Sequence, residues 1–282
     1  MYTAEISRNN PASAIFLLDR SGSMDELIAG GQITKAQAVA DAVNKLLQNL
    51  VIKCSKGDDV RNYFDVGVIG YGMQTAPAVG PIFTGALAGK TLVTISDIAT
   101  NPARLVERTK KVSDGDGGLV DSIVKSPIWF EPASEGGTPM TEAFGFLKTI
   151  IEPWIQQHQQ AFPPIVIHVS DGNSTDGDPS QAAKNVQSLT TTDGGVLIFN
   201  CNISSLGGNS VLFPSSTAGI SDPFAEMLFN ISSVLPEPMA KAANTEGFKI
   251  EPGARGFAYQ ADLVELIQFI DIGTKPAQTN LR

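Results

Sequence analysis

Apolar residues are spread along the chain in two alternating rhythms. Short continuous apolar runs at Ser13–Leu18, Phe64–Gly70 (FDVGVIG), Pro164–Val169 and Val196–Asn202 read as strands buried on both faces. Between them, longer stretches repeat their apolar positions every three or four residues. In Thr34–Ile52 these positions are Ala36, Val39, Ala40, Val43, Leu46, Leu47 and Leu50; in Thr141–Gln160 they are Ala143, Phe144, Leu147, Ile151 and Ile155. Both patterns predict helices with one buried stripe, the second kinked near Pro153. Further helices are predicted over Pro179–Leu189, Pro223–Val234 and Asp262–Ile270, with a short strand at Arg255–Ala258. Such alternation predicts an α/β fold, a mostly parallel sheet with helices on both faces.

The rhythm is weakest between Tyr71 and Phe130. Ala78–Phe83 and Lys90–Ile95 read as edge strands, Asp97–Lys111 as a helix with Pro102 in its first turn, and Ser113–Ser122 (SDGDGGLVDS) as a loop. The polar stretch 273–282 reads as a loose tail. No repeat or linker divides the chain, so one domain is expected over residues 1–282, with its core at 13–270 and an elaborated segment at 72–130.

Composition narrows the function. At 42% hydrophobic and 17% charged the chain has material for a sizeable core and is not disordered. Twenty Lys and Arg against 29 Asp and Glu leave a net charge of −9, which disfavours nucleic acid and anionic membranes as partners. No apolar run approaches the ~18–20 residues of a membrane span, and no basic segment precedes a long apolar one, so a cytoplasmic location is expected. Cys54 and Cys201 sit in or beside apolar segments and read as core thiols, not as a disulfide framework.

In open α/β sheets, ligands bind beyond the carboxyl ends of the strands, and three loops there are unusual. Asp19-Arg20-Ser21-Gly22-Ser23 follows the first strand, and its alternation lets Asp19, Ser21 and Ser23 share one crevice. Glu135-Gly136-Gly137-Thr138-Pro139 precedes a helix and presents the Thr138 hydroxyl, while Ser170-Asp171-Gly172 places a carboxylate at another strand end. Two carboxylates and three hydroxyls are hard donors suited to Mg²⁺, with Mn²⁺ or Ca²⁺ as alternatives, and unsuited to zinc or copper. Taken singly, any of these residues is as well explained as a helix cap.

At these five positions the sequence resembles the von Willebrand factor A (VWA) domain family of bacterial intracellular type. Asp19, Ser21 and Ser23 match the D-x-S-x-S of its metal-ion-dependent adhesion site, with Thr138 and Asp171 as the two distant members. The resemblance implies a three-layer Rossmann-like fold with one antiparallel edge strand. It also implies Mg²⁺ contacted by Ser21, Ser23 and either Thr138 or Asp171, with Asp19 acting partly through water. A Glu or Asp of a protein partner would complete the coordination, and Gly22, Met24, Asp25, Gly72, Gly137 and Asn173 would rim the contact. The function so implied is non-enzymatic protein interaction in an intracellular assembly or signalling system, without a small-molecule substrate. The alternative is a Mg²⁺-dependent phosphoryl-transfer or hydrolytic enzyme. That requires a general base or a phosphate-clamping arginine, and Arg20, the nearest, projects from the opposite side of its loop.

Other signals carry less. Gly85–Thr91 (GALAGKT) has one residue too few between its glycines for a phosphate loop. Asp171–Ala182 lacks the glycine and glutamate of a calcium loop. His158 and His168 have no nucleophile beside them, and His168, inside a strand, reads as a hydrogen-bonded core imidazole.

Overall fold

The computed structural model describes residues 2–113, 119–205 and 210–279, without the side chains of 108–113, 119, 120, 122, 273 and 275–279. Its centre is an eight-stranded sheet. In chain order the elements are β1 (Ala12–Asp19), α1 (Lys35–Cys54), β2 (Phe64–Tyr71), β3 (Val79–Pro81), β4 (Val93–Thr94), α2 (Ile95–Thr100), β5 (Arg104–Ser113), β6 (Leu119–Ile128), α3 (Met140–Gln157), β7 (Ile165–Ser170), α4 (Ser180–Gln187), β8 (Leu197–Ile203), β9 (Val211–Leu212), α5 (Pro223–Ile231), α6 (Glu237–Thr245), β10 (Phe257–Ala261) and α7 (Leu263–Thr279).

Strand order is β9-β10-β8-β7-β1-β2-β3, with β4 also paired to β2. The five central strands run parallel, and β3, β4 and β9 are short antiparallel additions at the edges, where one such strand was expected. Alternate side chains of β1 serve the two faces. Phe16 and Leu18 join α1, α2, α6 and α7 in one core layer, and Ile15 and Leu17 join α3, α4 and α5 in the other. Every residue of β1 is buried, as a central parallel strand requires. The α/β expectation therefore holds, as a mostly parallel sheet flanked by helices.

The least rhythmic region departs from expectation. The helix expected over Asp97–Lys111 stops at Thr100, and Arg104–Ser113 instead pairs antiparallel with Leu119–Ile128 along ten residues each. Pro102, with no N–H to donate, follows the helix end instead of opening a helix. Of the loop expected over Ser113–Ser122, residues 114–118 lie outside the described residues. Helix α6 was not anticipated, because it buries only Met239 and Ala243, too few for a visible period. Helix α7 continues to Thr279 where the tail was expected; residues 280–282 lie outside the description.

The ribbon segment is fastened to the core by one buried amide. Asn44 on α1 accepts from the Trp129 N–H at 2.8 Å and donates to the carbonyls of Phe130 and Ala40 at 3.1 and 2.9 Å. Trp129, itself 2% exposed, donates its indole N–H to the Ile98 carbonyl at 2.7 Å. Replacing Asn44 by leucine strands a buried N–H and a buried carbonyl. The expected outcome is a loss of about 2–4 kcal/mol, read as a lower denaturation midpoint in urea with unchanged slope.

Candidate functional site: an oxygen-lined crevice at the carboxyl edge of the sheet

Parallel strands β1, β2 and β7 end side by side, so the loops that follow them meet. Main-chain hydrogen bonds lock the loops after β1 and β2 to each other and to the Glu135–Gly136 loop before α3: Arg20 N–H to the Tyr71 carbonyl (2.9 Å), Glu135 N–H to Arg20 (2.7 Å), Gly136 N–H to Gly72 (2.8 Å) and Gly22 N–H to Gly136 (2.9 Å). The approach is close enough to demand glycine. Gly72 has φ +92°, and a Cβ there would lie 2.3 Å from the Gly137 carbonyl oxygen.

Four of the five candidate residues form one hydrogen-bonded chain. Asp19, 2% exposed, accepts from the Ser21 N–H at 2.8 Å and from the Ser170 hydroxyl at 2.7 Å. The Ser21 and Ser23 hydroxyls are 3.1 Å apart, and Ser23 donates to Asp171 at 2.8 Å. Thr138 is tied in through its backbone, its N–H donating to the Thr175 hydroxyl and its carbonyl accepting from the Thr175 N–H, both at 2.9 Å. Depth is graded: Asp19, Ser21 and Thr138 are buried, whereas Ser23 is exposed. Of the expected rim, Gly22, Asp25, Gly137 and Asn173 are exposed. Met24, 1% exposed, packs into the core instead, and Gly72 is buried where the loops cross. Neither is available to a partner.

Burial raises the Asp19 carboxyl to about 6, against the lowering effect of its hydrogen bonds from Ser21 and Ser170. Among the described residues it makes no ion pair. Asp171 is satisfied differently. Its second oxygen accepts from the Lys35 ammonium at 2.6 Å, and Lys35 also reaches Glu26 at 2.9 Å. Lys35 and Asp171 side chains are 4% and 0% exposed. Beside this pair opens a cleft of about 310 Å³ lined by Glu26, Asn202, Asp222, Tyr259 and Gln260. Arg20 turns away, its stem lying over Gly70.

Beneath the crevice runs a buried polar relay. The Tyr71 hydroxyl donates to His168 Nε2 (2.7 Å), His168 Nδ1–H donates to Asn200 (2.8 Å), and Asn200 donates to Ser232 (2.8 Å). Burial lowers His168 to about 4 despite its Asn200 partner, so it is the neutral core imidazole expected of it.

Sequence reasoning missed Lys35, Ser170, Thr175 and Asp176. Asp176 caps α3 from a distant loop by accepting from Thr141 and Glu142 N–H at 3.0 and 2.8 Å. One signal for Lys35 was present, a cation in the first turn of a helix, where the dipole disfavours it. The others are set by loop contacts that leave no local pattern.

No protein-family model matches the chain, and no curated protein matches it. Among solved structures, the pilus adhesin SpaC from Lactobacillus rhamnosus GG superposes with TM-score 0.50 and 12% identity, over 98% of this chain and 32% of SpaC. Proximal thread matrix protein 1 from the mussel byssus gives 0.43 and 16%, over 97% of this chain and 49% of that one. The minor pilin PilB from Streptococcus sanguinis gives 0.40 and 10%, over 95% and 62%. The chain thus spans less than two thirds of each, and the SpaC likeness shows a shared fold.

These findings correct two expectations. Membership of the VWA family in its bacterial intracellular form is overturned: no family model matches, and the solved structure that shares the fold is a pilus adhesin. Among the described residues no group of three or more His, Cys, Asp or Glu is placed to hold a metal. Asp171 is already engaged by Lys35 and Ser23, so one of the two carboxylates that the resemblance assigns to the ion is held by an ammonium of the chain itself. The cytoplasmic expectation is overturned by the same comparison, in which the protein sharing the fold is a pilus adhesin. No described helix is long and apolar enough to cross a membrane.

Asp19 and His168 pull the pH dependence of stability in opposite directions. The Asp19 value, raised from 3.8 to about 6, means its contribution is full below pH 3.8 and lost as pH rises through 6. The His168 value, lowered from 6.5 to about 4, means its contribution is full above pH 6.5 and lost as pH falls through 4. Denaturant melts in chelator should therefore show D19N gaining on the wild type from pH 4 to 7, by about 2–3 kcal/mol. H168Q should shed acid sensitivity over the same window. A gap that does not change with pH would contradict either assignment.

Proposed function

We propose that this chain is a non-enzymatic protein-interaction module of the adhesion type, whose crevice takes a divalent cation and, through it, an acidic side chain of a partner protein. The observation that carries this reading is Asp19, a buried carboxylate that makes no ion pair among the described residues, set among hydroxyls at the open edge of the sheet. The donor set fits a hard dication: Asp19, Ser21, Ser23, Thr138 and Asp171 offer oxygen only. Mg²⁺ is the first choice, with Mn²⁺ or Ca²⁺ as substitutes. Because most of these donors are neutral, a cation held there would keep enough positive charge to attract a Glu or Asp from outside. Exposed Ser23, Gly22, Asp25, Gly137 and Asn173 would surround the docked group, and the cleft beside Asp171 would receive its neighbours in the partner chain.

Adhesion enters through the fold shared with SpaC, which is a pilus adhesin. The enzymatic alternative has less support. Phosphoryl transfer with the same cation needs a base or an arginine clamp facing it. Arg20 lies over Gly70, away from the crevice, and His168 is sealed in the core.

Calorimetric titration with Mg²⁺ and with Mn²⁺ tests the reading. Wild type is expected to bind saturably, D19A not at all, and T138A about tenfold more weakly, with no turnover of generic phosphate esters by any of them. Equal binding by wild type and D19A would remove its basis.

A further inference from the structure

Lys35 is placed against ordinary physical preference. Its side chain is 4% exposed, although lysine is among the residues least often buried. It is the first residue of α1, after the Thr34 cap, so its charge opposes the positive end of the helix dipole. What holds it there is a pair of carboxylates: Asp171 at 2.6 Å, inside the crevice, and Glu26 at 2.9 Å, whose own side chain is 62% exposed. Glu26 is steadied in turn by the Ser205 hydroxyl at 2.6 Å. The ammonium therefore lies at the junction of the crevice and the neighbouring cleft, on the one crevice carboxylate that is already neutralised.

We propose that Lys35 is a positioning residue that acts as an internal counter-cation. It occupies the second oxygen of Asp171, keeps that carboxylate from closing on a divalent ion, and so lowers the affinity of the crevice for the ion alone. This inference rests on the cation reading above and deepens it. With Asp171 shared between Ser23 and Lys35, the charge facing a bound cation is mainly that of Asp19, about one negative unit against two positive. The deficit leaves the ion loosely held by the chain and strongly attractive to a partner's carboxylate. Cation and partner then bind as a coupled pair, each raising the affinity for the other. A nearby fixed positive charge also repels a dication directly, and that repulsion is large at the low effective dielectric of a buried site.

The test is Mg²⁺ and Mn²⁺ calorimetry on wild type, D19A and K35Q, whose amide still donates one hydrogen bond to Asp171 without the charge. K35M replaces K35Q should that variant not fold, and thermal melts with and without Mg²⁺ provide a second readout. K35Q is expected to bind Mg²⁺ at least about tenfold more tightly than wild type and to gain more in melting temperature on adding Mg²⁺. A residue with a merely structural role would lower the melting temperature without changing the response to Mg²⁺. Wild type and K35Q binding equally, or K35Q more weakly, would overturn the role of Lys35 and leave the cation reading standing. Binding by K35Q but not by wild type would support the role of Lys35 and end the cation reading for the native chain. Binding by neither would overturn both.

Discussion

The upper edge of this protein is organised around one buried carboxylate. Asp19 ends an inner strand of a five-strand parallel array, between β7 and β2, and is 2% exposed. It is kept by two donors, the Ser21 N–H from its own loop and the Ser170 hydroxyl from the next strand. Those donors fix where both loops go, and the Gly72–Gly136–Gly22 backbone contacts then fix the third. The crevice is a consequence of satisfying Asp19 at the place where parallel strands converge.

Charge is distributed unequally around that carboxylate. Among the described residues Asp171 has its own ammonium, while Asp19 has only hydrogen-bond donors, and burial raises its carboxyl. The hydroxyls of Ser21, Ser23 and Thr138 add polarity without adding charge. On the proposed reading, such a site would hold a hard cation weakly and present it to a partner's carboxylate. The neutral Tyr71–His168–Asn200–Ser232 relay below it contributes rigidity, because every member has a buried partner.

Much of the crevice could be read from residue types at strand ends. Asp19, Ser21 and Ser23 come together as their alternation suggested, and Asp171 joins them from its own strand end. The family resemblance drawn from those same residues did not survive. A short motif records which side chains converge; it does not record what else enters the space, and here Lys35 enters from a helix start sixteen positions past Asp19. Met24 and Gly72 were misplaced for a related reason. A rim position in sequence becomes a core position once the loop turns back under the sheet edge, as it does after Ser23.

For the fold, the five central strands and helices α1, α3, α4 and α5 were legible because burial on a sheet or along one helical stripe imposes a period on the chain itself. The ribbon of β5 and β6 was not, since its order comes from cross-strand pairing, from Ser113 with Leu119 out to Arg104 with Ile128, and not from local apolar spacing. The amino-acid sequence by itself determined the α/β alternation, the acidic balance and the supply of oxygen donors at strand ends, all of which follow from residue type and period. Only the tertiary structure decided that Asp171 is paired and Asp19 is not, because burial and ion pairing depend on which side chains from remote segments share the same few ångströms.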